Sequence, residues 1–248
     1  MRMRKRHNLE PRMEKCAEYL ITEPEQLRGS WRGLYPECTA LMLELGCGKG
    51  RFTAGTAEVE KAALLIAMEK VPDAMLLAME RARDLGLGNV RFIDCDVVKL
   101  KEMFSDGEAD RIYINFCDPW PKSRDAKFRL TAPSFLRIYC DVLGEGGQIH
   151  FKTDNTPLFD WSVEQLESEG WVLSEVTHDL HENGPCGIMT DYEAKFTAEG
   201  MKINRLVATK TADTKGTAAG ELLRLRNASL IDARGYAESV ESNREDKA

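Results

Sequence analysis

From about residue 40 to residue 152 the chain alternates short apolar, β-branched runs with longer stretches whose apolar residues recur at helical spacing. That alternation is the mark of a parallel sheet with crossover helices. It predicts strands over 40–45, 62–68, 90–94, 110–116 and 147–152. Helices are expected over 72–85, where Met75, Leu76, Met79 and Ala82 share a face, and over 132–142, where Phe135, Leu136, Ile138 and Tyr139 do so. Gly86-Leu-Gly-Asn89 should end the first of these helices. Two later runs, 171–178 and 203–209, read as strands able to pair antiparallel at one sheet edge, with a Gly/Pro/Cys-containing loop and a helix between them. The expected architecture is α/β, a mostly parallel sheet with an antiparallel edge strand.

Composition divides the chain further. Residues 1–30 read as a basic and helical arm, 31–210 as the α/β domain, and 211–248 as a flexible C-terminal extension, small and polar to Gly220, then helical in rhythm around Leu222, Leu223 and Leu225. A length of 248 residues with 43% hydrophobic content supports a sizeable core. No apolar run is long enough to span a membrane, and the basic start Met1-Arg-Met-Arg-Lys-Arg6 leads into polar Asn8, Glu10 and Arg12. A cytoplasmic protein without a membrane partner is expected. The 7 cysteines form no CxxC pair, which fits reduced thiols, and the close pair His178 and His181 has no companion ligand pair, so no metal is expected. A net charge of −7 disfavours a general nucleic-acid coat. Any RNA contact must be local, through Arg2, Arg4, Lys5 and Arg6 or through Lys122, Arg124, Lys127 and Arg129; a solvated face or loose tail is the plainer reading of such runs.

The chemistry gathers at the ends of the predicted strands. Leu43-Glu-Leu-Gly-Cys-Gly-Lys-Gly50 follows a strand and opens a helix, so Gly46, Gly48 and Gly50 let backbone approach a nucleotide. Glu69 ends the next strand, where a carboxylate can accept both ribose hydroxyls. The glycines run GxGxG rather than GxGxxG, and Glu44 would repel a pyrophosphate but suits the cationic end of S-adenosylmethionine. That favours S-adenosylmethionine over NAD. Asp96 is the candidate to bind the adenine amino group, and it reads equally as the N-cap of a helix starting near Val97. The fourth strand ends in Asn115-Phe-Cys-Asp-Pro-Trp-Pro-Lys122, where open α/β proteins place ligands. Trp120 there reads either as a surface for a planar base or as a core side chain.

The pattern as a whole resembles the bacterial tRNA (guanine-N7)-methyltransferase family. The resemblance rests on Leu43–Gly50, Glu69, Asp96, the run Asp118-Pro-Trp-Pro-Lys122 with Arg124, Lys127, Arg129, Leu130 and Thr131 behind it, then Phe151-Lys-Thr-Asp154 and Thr190-Asp-Tyr-Glu193. It implies a Rossmann-like class I S-adenosylmethionine-dependent methyltransferase domain that modifies N7 of a guanine in tRNA, in the variable loop. It further implies that Glu44, Gly46, Gly48, Glu69, Asp96 and Asp118 bind the cofactor, with Asp118 also catalytic. Lys122, Asp154, Thr190, Asp191, Tyr192 and Glu193 would then contact the substrate nucleotide. From the residues alone, Thr190-x-x-Glu193 also reads as a capping box, Asp154 as an N-cap and Lys122 as a solvated charge. The chain departs from the family pattern at Cys117, usually Pro, at Asp125, usually His, and at Phe128, usually basic; the last two lower the local positive charge. Monomer and homodimer are both open. The rival readings are an amino-group methyltransferase with an Asp-Pro-aromatic loop and a non-catalytic RNA-binding module; the intact set of four acids weighs against the second.

Overall fold

The computed structural model describes residues 8–217. The basic cluster at residues 2–6 and the helical rhythm after 220 lie outside the described residues. In chain order the elements are α1 (Leu9–Glu14), β1 (Ala40–Leu45), α2 (Arg51–Val59), β2 (Ala63–Met68), α3 (Pro72–Asp84), β3 (Val90–Ile93), α4 (Leu100–Met103), β4 (Ala109–Asn115), α5 (Pro133–Val142), β5 (Leu143–Thr153), α6 (Thr156–Ser168), β6 (Val172–Thr177), α7 (Asp191–Ala198) and β7 (Asn204–Thr209). All seven predicted strands are present. β5 starts four residues earlier than expected because an irregularity in the β4 pairing, between Ala109 and Arg111, lets Leu143 join the ladder ahead of Gly146 and Gly147.

The sheet order is β3-β2-β1-β4-β5-β7-β6. β1 to β5 run parallel, whereas β7 runs antiparallel to both β5 and β6. β6 is thus the outermost strand, and β7 lies one place in from it.

Both faces of the central strands are covered, so these strands are apolar on both sides. Leu41, Leu43 and Leu45 of β1 join Leu136, Tyr139, Phe159 and Trp31 in the core on one face. Met42, Leu65 and Tyr113 join Phe52, Met75 and Met79 of α2 and α3 on the other. Side chains alternate between faces along a strand. On that second face the alternation puts three polar residues at the carboxyl ends of adjacent strands: Glu44, Asn115 and Lys152, all buried.

α3 ends as its Gly-Leu-Gly sequence predicts. Gly86 takes a φ of 65°, its N–H donates to the Arg83 carbonyl and that of Leu87 to Ala82, which closes a Schellman turn. Gly50 is required for a different reason. It has a φ of 75°, and a Cβ there would lie 2.5 Å from the Cβ of Ala78 on α3. Gly50→Ala is therefore expected to lower stability by about 2 to 4 kcal/mol, read as a fall in the urea midpoint, because left-handed strain and overpacking act together.

Residues 8–21 pack against β3 and α3 at one end of the sheet, and residues 24–30 against α4 and the turn before β4. The Ile21 N–H donates to the Phe92 carbonyl at 2.9 Å, Cys16 and Tyr19 are buried, and Arg12 pairs with Glu80 of α3 at 2.6 Å. Residues 211–217, read from sequence as the start of a flexible extension, are tied to the domain as well: Thr214 Oγ1 donates to the Gly170 carbonyl and the Lys215 N–H to that of Glu169. No helix among the described residues is long and apolar enough to cross a membrane.

Candidate active site

β1, β2, β3 and β4 all point their carboxyl ends at one edge of the sheet, and the six predicted cofactor residues are on the strand ends or loops there. After Glu44 the chain turns through Gly46 at φ 84° and Gly48 at φ 57°, with no atom within 4 Å of where a Cβ would project at either. The space over this loop is open, as backbone approach to a ligand requires. Glu69 braces the loop from β2: its carboxylate accepts from Gly48 N–H at 2.8 Å and from Val71 N–H at 2.9 Å. Asp96 realises its N-cap reading, accepting from Val98 N–H at 3.1 Å, and also pairs with Lys70 at 2.6 Å.

Glu44 is only 1% exposed. Its carboxylate accepts from the Thr53 hydroxyl of α2 at 2.6 Å and, more weakly, from Asn115 at 3.4 Å. Burial drives its pKa up to about 7, against the lowering influence of those hydrogen bonds and of Lys152. An acid poised between charged and neutral thus lies beneath the open loop.

The loop after β4 carries Asp118 at the surface between two strained residues, Phe116 at φ 55° and Trp120 at φ 41°. Such conformations cost about 1–3 kcal/mol each and persist only where the surroundings hold them. Here the Phe116 N–H donates to the Lys152 carbonyl at 2.9 Å. Arg129 donates to the carbonyls of Pro119 and Trp120 at 3.0 Å each and lies 4.5 Å from the Trp161 ring centre. Arg129 is therefore a structural clamp rather than a free cation. Lys122, Arg124 and Lys127 are exposed. Trp120 is half-buried and packs on Phe128 at 5.3 Å, so the departure from a basic residue at 128 supplies a packing partner; Asp125 approaches Arg124 at 3.7 Å.

The residues predicted to contact the substrate fall into two groups. Tyr192 is 43% exposed, lies 5.1 Å from the Phe116 ring and donates through its hydroxyl to Asp154 at 3.1 Å. Asp154 is not an N-cap: Asn155 caps α6 instead, accepting from Leu158 N–H at 2.8 Å, because the strand runs on to Thr153. Thr190 and Glu193 form the capping box of α7, and Asp191 meets Arg81 at 3.3 Å. Glu193 is fully buried; Lys152 donates to it at 2.6 Å and His181 lies 3.0 Å away. Its carboxylate faces the interior. His181 is thereby engaged, and among the described residues no group of three or more His, Cys, Asp or Glu can hold a metal ion.

Two cavities flank α2 on the second face. The larger, about 610 Å³, is lined by Arg51, Gly55, Arg81, Ile188, Met189 and Asp191 among others, and the smaller, about 270 Å³, by Tyr113, Asn115, His150 and Lys152 among others. Of the predicted site residues, Asp191 alone lines either; the glycine loop and Asp118 lie at the surface apart from both.

Comparison with known proteins bears on this arrangement. A family model described as "Putative methyltransferase" matches residues 39–206. A tRNA (guanine-N(7)-)-methyltransferase of Geobacillus kaustophilus is 39% identical over 211 residues, 85% of this chain and 97% of that protein. One of Bacillus velezensis is 40% identical over 206 residues, 83% and 95% of the two chains. The chain belongs to the tRNA (guanine-N7)-methyltransferase family. Its fold is shared with more distant methyltransferases. The structure of an antibiotic-related methyltransferase superposes with a TM-score of 0.55 at 18% identity over 72% of this chain and 90% of that one. The 16S rRNA methyltransferase KamB gives 0.57 at 15% identity over 74% and 92%. At such identities the likeness speaks for a class I methyltransferase fold.

The acidic set and the open glycine loop fit S-adenosylmethionine, whose cationic end needs carboxylate rather than phosphate-binding surroundings. Two residues of this methyltransferase site escape a reading of the sequence. Phe116 and Lys152 lie inside the strand-end motifs, yet neither the positive φ of the first nor the burial of the second is visible in the residue types.

Proposed function

We propose that this protein transfers the methyl group of S-adenosylmethionine to N7 of a guanine in tRNA, in the variable loop. The observation that carries the reading is the meeting at one sheet edge of an open glycine loop, its acids Glu44 and Glu69, and the strained Asp118 loop with its exposed lysines, in a chain of this family. Guanine N7 is hard to reach in the deep, narrow groove of A-form RNA, which supports a target in a loop or tertiary contact of the folded tRNA.

Glu44, Gly46, Gly48, Glu69, Asp96 and Asp118 are the residues that would hold the cofactor, which supplies an electrophilic methyl group when bound. Glu69 already binds backbone N–H groups and would exchange or share these with ribose hydroxyls. N7 bears a lone pair and no proton, so no general base is required. The task left to the protein is alignment and electrostatics. Asp118 stabilises the positive charge that develops on the purine and accepts hydrogen bonds from guanine N1 and N2, a donor pair adenine lacks. Tyr192 beside Phe116 offers an aromatic surface for the base, with Asp154, Thr190, Asp191 and Lys122 around it. Glu193 acts from within, through the backbone of its own helix.

Lys122 and Lys127 contact phosphate in this reading. Replacing both with Ala should weaken tRNA binding and flatten the log K against log salt plot by about 0.7 to 0.9 for each phosphate left without its lysine, with cofactor affinity unchanged. Filter binding over a salt series reads both quantities; an unaltered slope removes the two lysines from the interface.

The deciding experiment is transfer of labelled methyl from S-adenosylmethionine to tRNA from a strain lacking 7-methylguanosine, followed by nucleoside analysis and mapping of the position. 7-Methylguanosine in the variable loop supports the proposal in full. Label in another nucleoside overturns the specificity, and cofactor binding without transfer favours an RNA-binding role.

A further inference from the structure

We propose that Lys152 is a positioning residue that fixes both walls of the substrate site, the Asp118 loop through its main chain and the Thr190–Glu193 segment through its ammonium group. The inference rests on the tRNA reading for its kinetic test and on geometry alone for its structural one.

Lys152 ends the polar row that crosses the second face of the sheet from Glu44 through Asn115. It is 7% exposed, its ammonium donates to the Ile188 carbonyl at 3.0 Å and to Glu193 at 2.6 Å, and it lies 5.0 Å from the centre of the Phe52 ring. Both acceptors belong to the segment leading into and forming the first turn of α7. Glu193 passes the restraint on: its carboxylate accepts from Thr190 N–H at 3.2 Å and from His181 Nε2 at 3.0 Å, while His181 Nδ1 accepts from Cys186 N–H at 3.1 Å. With Nδ1 an acceptor, the neutral ring carries its proton on Nε2, toward the acid. Ile188 is held from the other side, since it packs so closely on α2 that a Cβ at Gly55 would lie 2.8 Å from its Cγ2. Residues 181–193 are thus pinned at three points, and Tyr192 is carried by the last of them.

The same residue works in the opposite direction through its backbone. The Lys152 carbonyl receives the Phe116 N–H at 2.9 Å, at the strained position two residues before Asp118. Phe116 then meets Tyr192 at 5.1 Å, so the two walls held by Lys152 touch each other. A misplacement of about 1 Å at such a site can lower turnover by about 100-fold.

Removing Lys152 alone would leave Glu193 charged and buried without its cation, a change that unfolds proteins for reasons unrelated to the site. The informative variant is Lys152→Met with Glu193→Gln, in which both charges go together; Glu193→Gln alone keeps an acceptor for the cap but leaves Lys152 buried without its counter-charge, so it serves as a second variant only once circular dichroism shows it folded. The control is Arg137→Met with Glu169→Gln, which removes another partly buried ion pair, 2.6 Å long, between α5 and the end of α6. The expected result is a KM for tRNA raised about tenfold or more in the first two proteins and a normal KM in the control, with the high-pH plateau of S-adenosylhomocysteine affinity, where Glu44 is charged, within about twofold of wild type in all three. Hydrogen exchange should quicken over 186–193 and not over 46–50. Folded variants with wild-type KM and unaltered exchange overturn the proposal. If wild-type protein makes no 7-methylguanosine, the tRNA reading fails, while the exchange pattern still decides the role of Lys152.

Discussion

Asp118→Asn is expected to fold as the wild type does and to lose about 100- to 1000-fold in kcat, the range seen when one electrostatic contact to a developing charge is removed. The fold is safe because Asp118 is exposed and the loop draws its support from Arg129 and the Lys152 carbonyl instead. Turnover is vulnerable because, in the proposed function, the substitution removes a negative charge beside the purine and turns one acceptor into a donor against the guanine N1 and N2 protons. Single-turnover methyl transfer with separately measured cofactor and tRNA affinities distinguishes chemistry from binding. Near-wild-type turnover in a folded variant removes Asp118 from the mechanism.

The second large effect concerns Glu44. Its pKa, raised to about 7 by burial, means that the ligand-free protein is mixed between neutral and charged forms near neutrality. A cationic ligand requires the charged form. Cofactor affinity should therefore fall by about tenfold per pH unit below 7, with a proton released on binding, and level off above about 8. Calorimetry in buffers of different ionisation enthalpy measures that proton. Stability follows the opposite course: a carboxyl protonated more readily in the folded than in the unfolded chain favours folding at low pH. That advantage is lost as pH rises from the unfolded value near 4.3 through 7, a loss on the order of 3 kcal/mol. Glu44→Gln keeps an acceptor for Thr53 and needs no charge buried, so it should melt higher than wild type at pH 8 while binding cofactor about tenfold or more weakly. A variant with unchanged affinity and an unchanged pH profile would exclude Glu44 from the cofactor site.

Much of this is legible in the residues. The run Ala-Leu-Met-Leu-Glu-Leu of β1 is apolar on both faces except at Glu44, which marks both a buried parallel strand and the acid within it. The α3 stop and the α7 capping box are readable because each is closed by residues within a few positions of one another. Asp154 is readable only as a strand-end acid, since which of two neighbours caps α6 depends on where β5 releases the chain. Lys152 is opaque for a deeper reason. Its partner is 41 residues away, and only the register of β4 with β5 and the path of the 181–193 segment bring the two together. Phe116 looks like one more apolar residue of β4, because a left-handed backbone leaves no trace in side-chain type. Arg129 passes for a free cation on similar grounds: composition counts a charge without showing the carbonyls it already serves.

The place of β7 has a consequence for the order in which the molecule can be completed. β5 and β6 precede it in the chain, yet each bonds to β7 and not to the other. During synthesis, the parallel part of the sheet can assemble while Asn204–Thr209 are still unmade, but β5 then presents a bare edge and β6 has no neighbour. Exposed edges invite pairing with other chains. Since Lys152 lies on that edge, opposite Arg205, a nascent chain stopped short of residue 204 would carry its glycine loop in place beside an unfinished copy of the site proposed to receive tRNA.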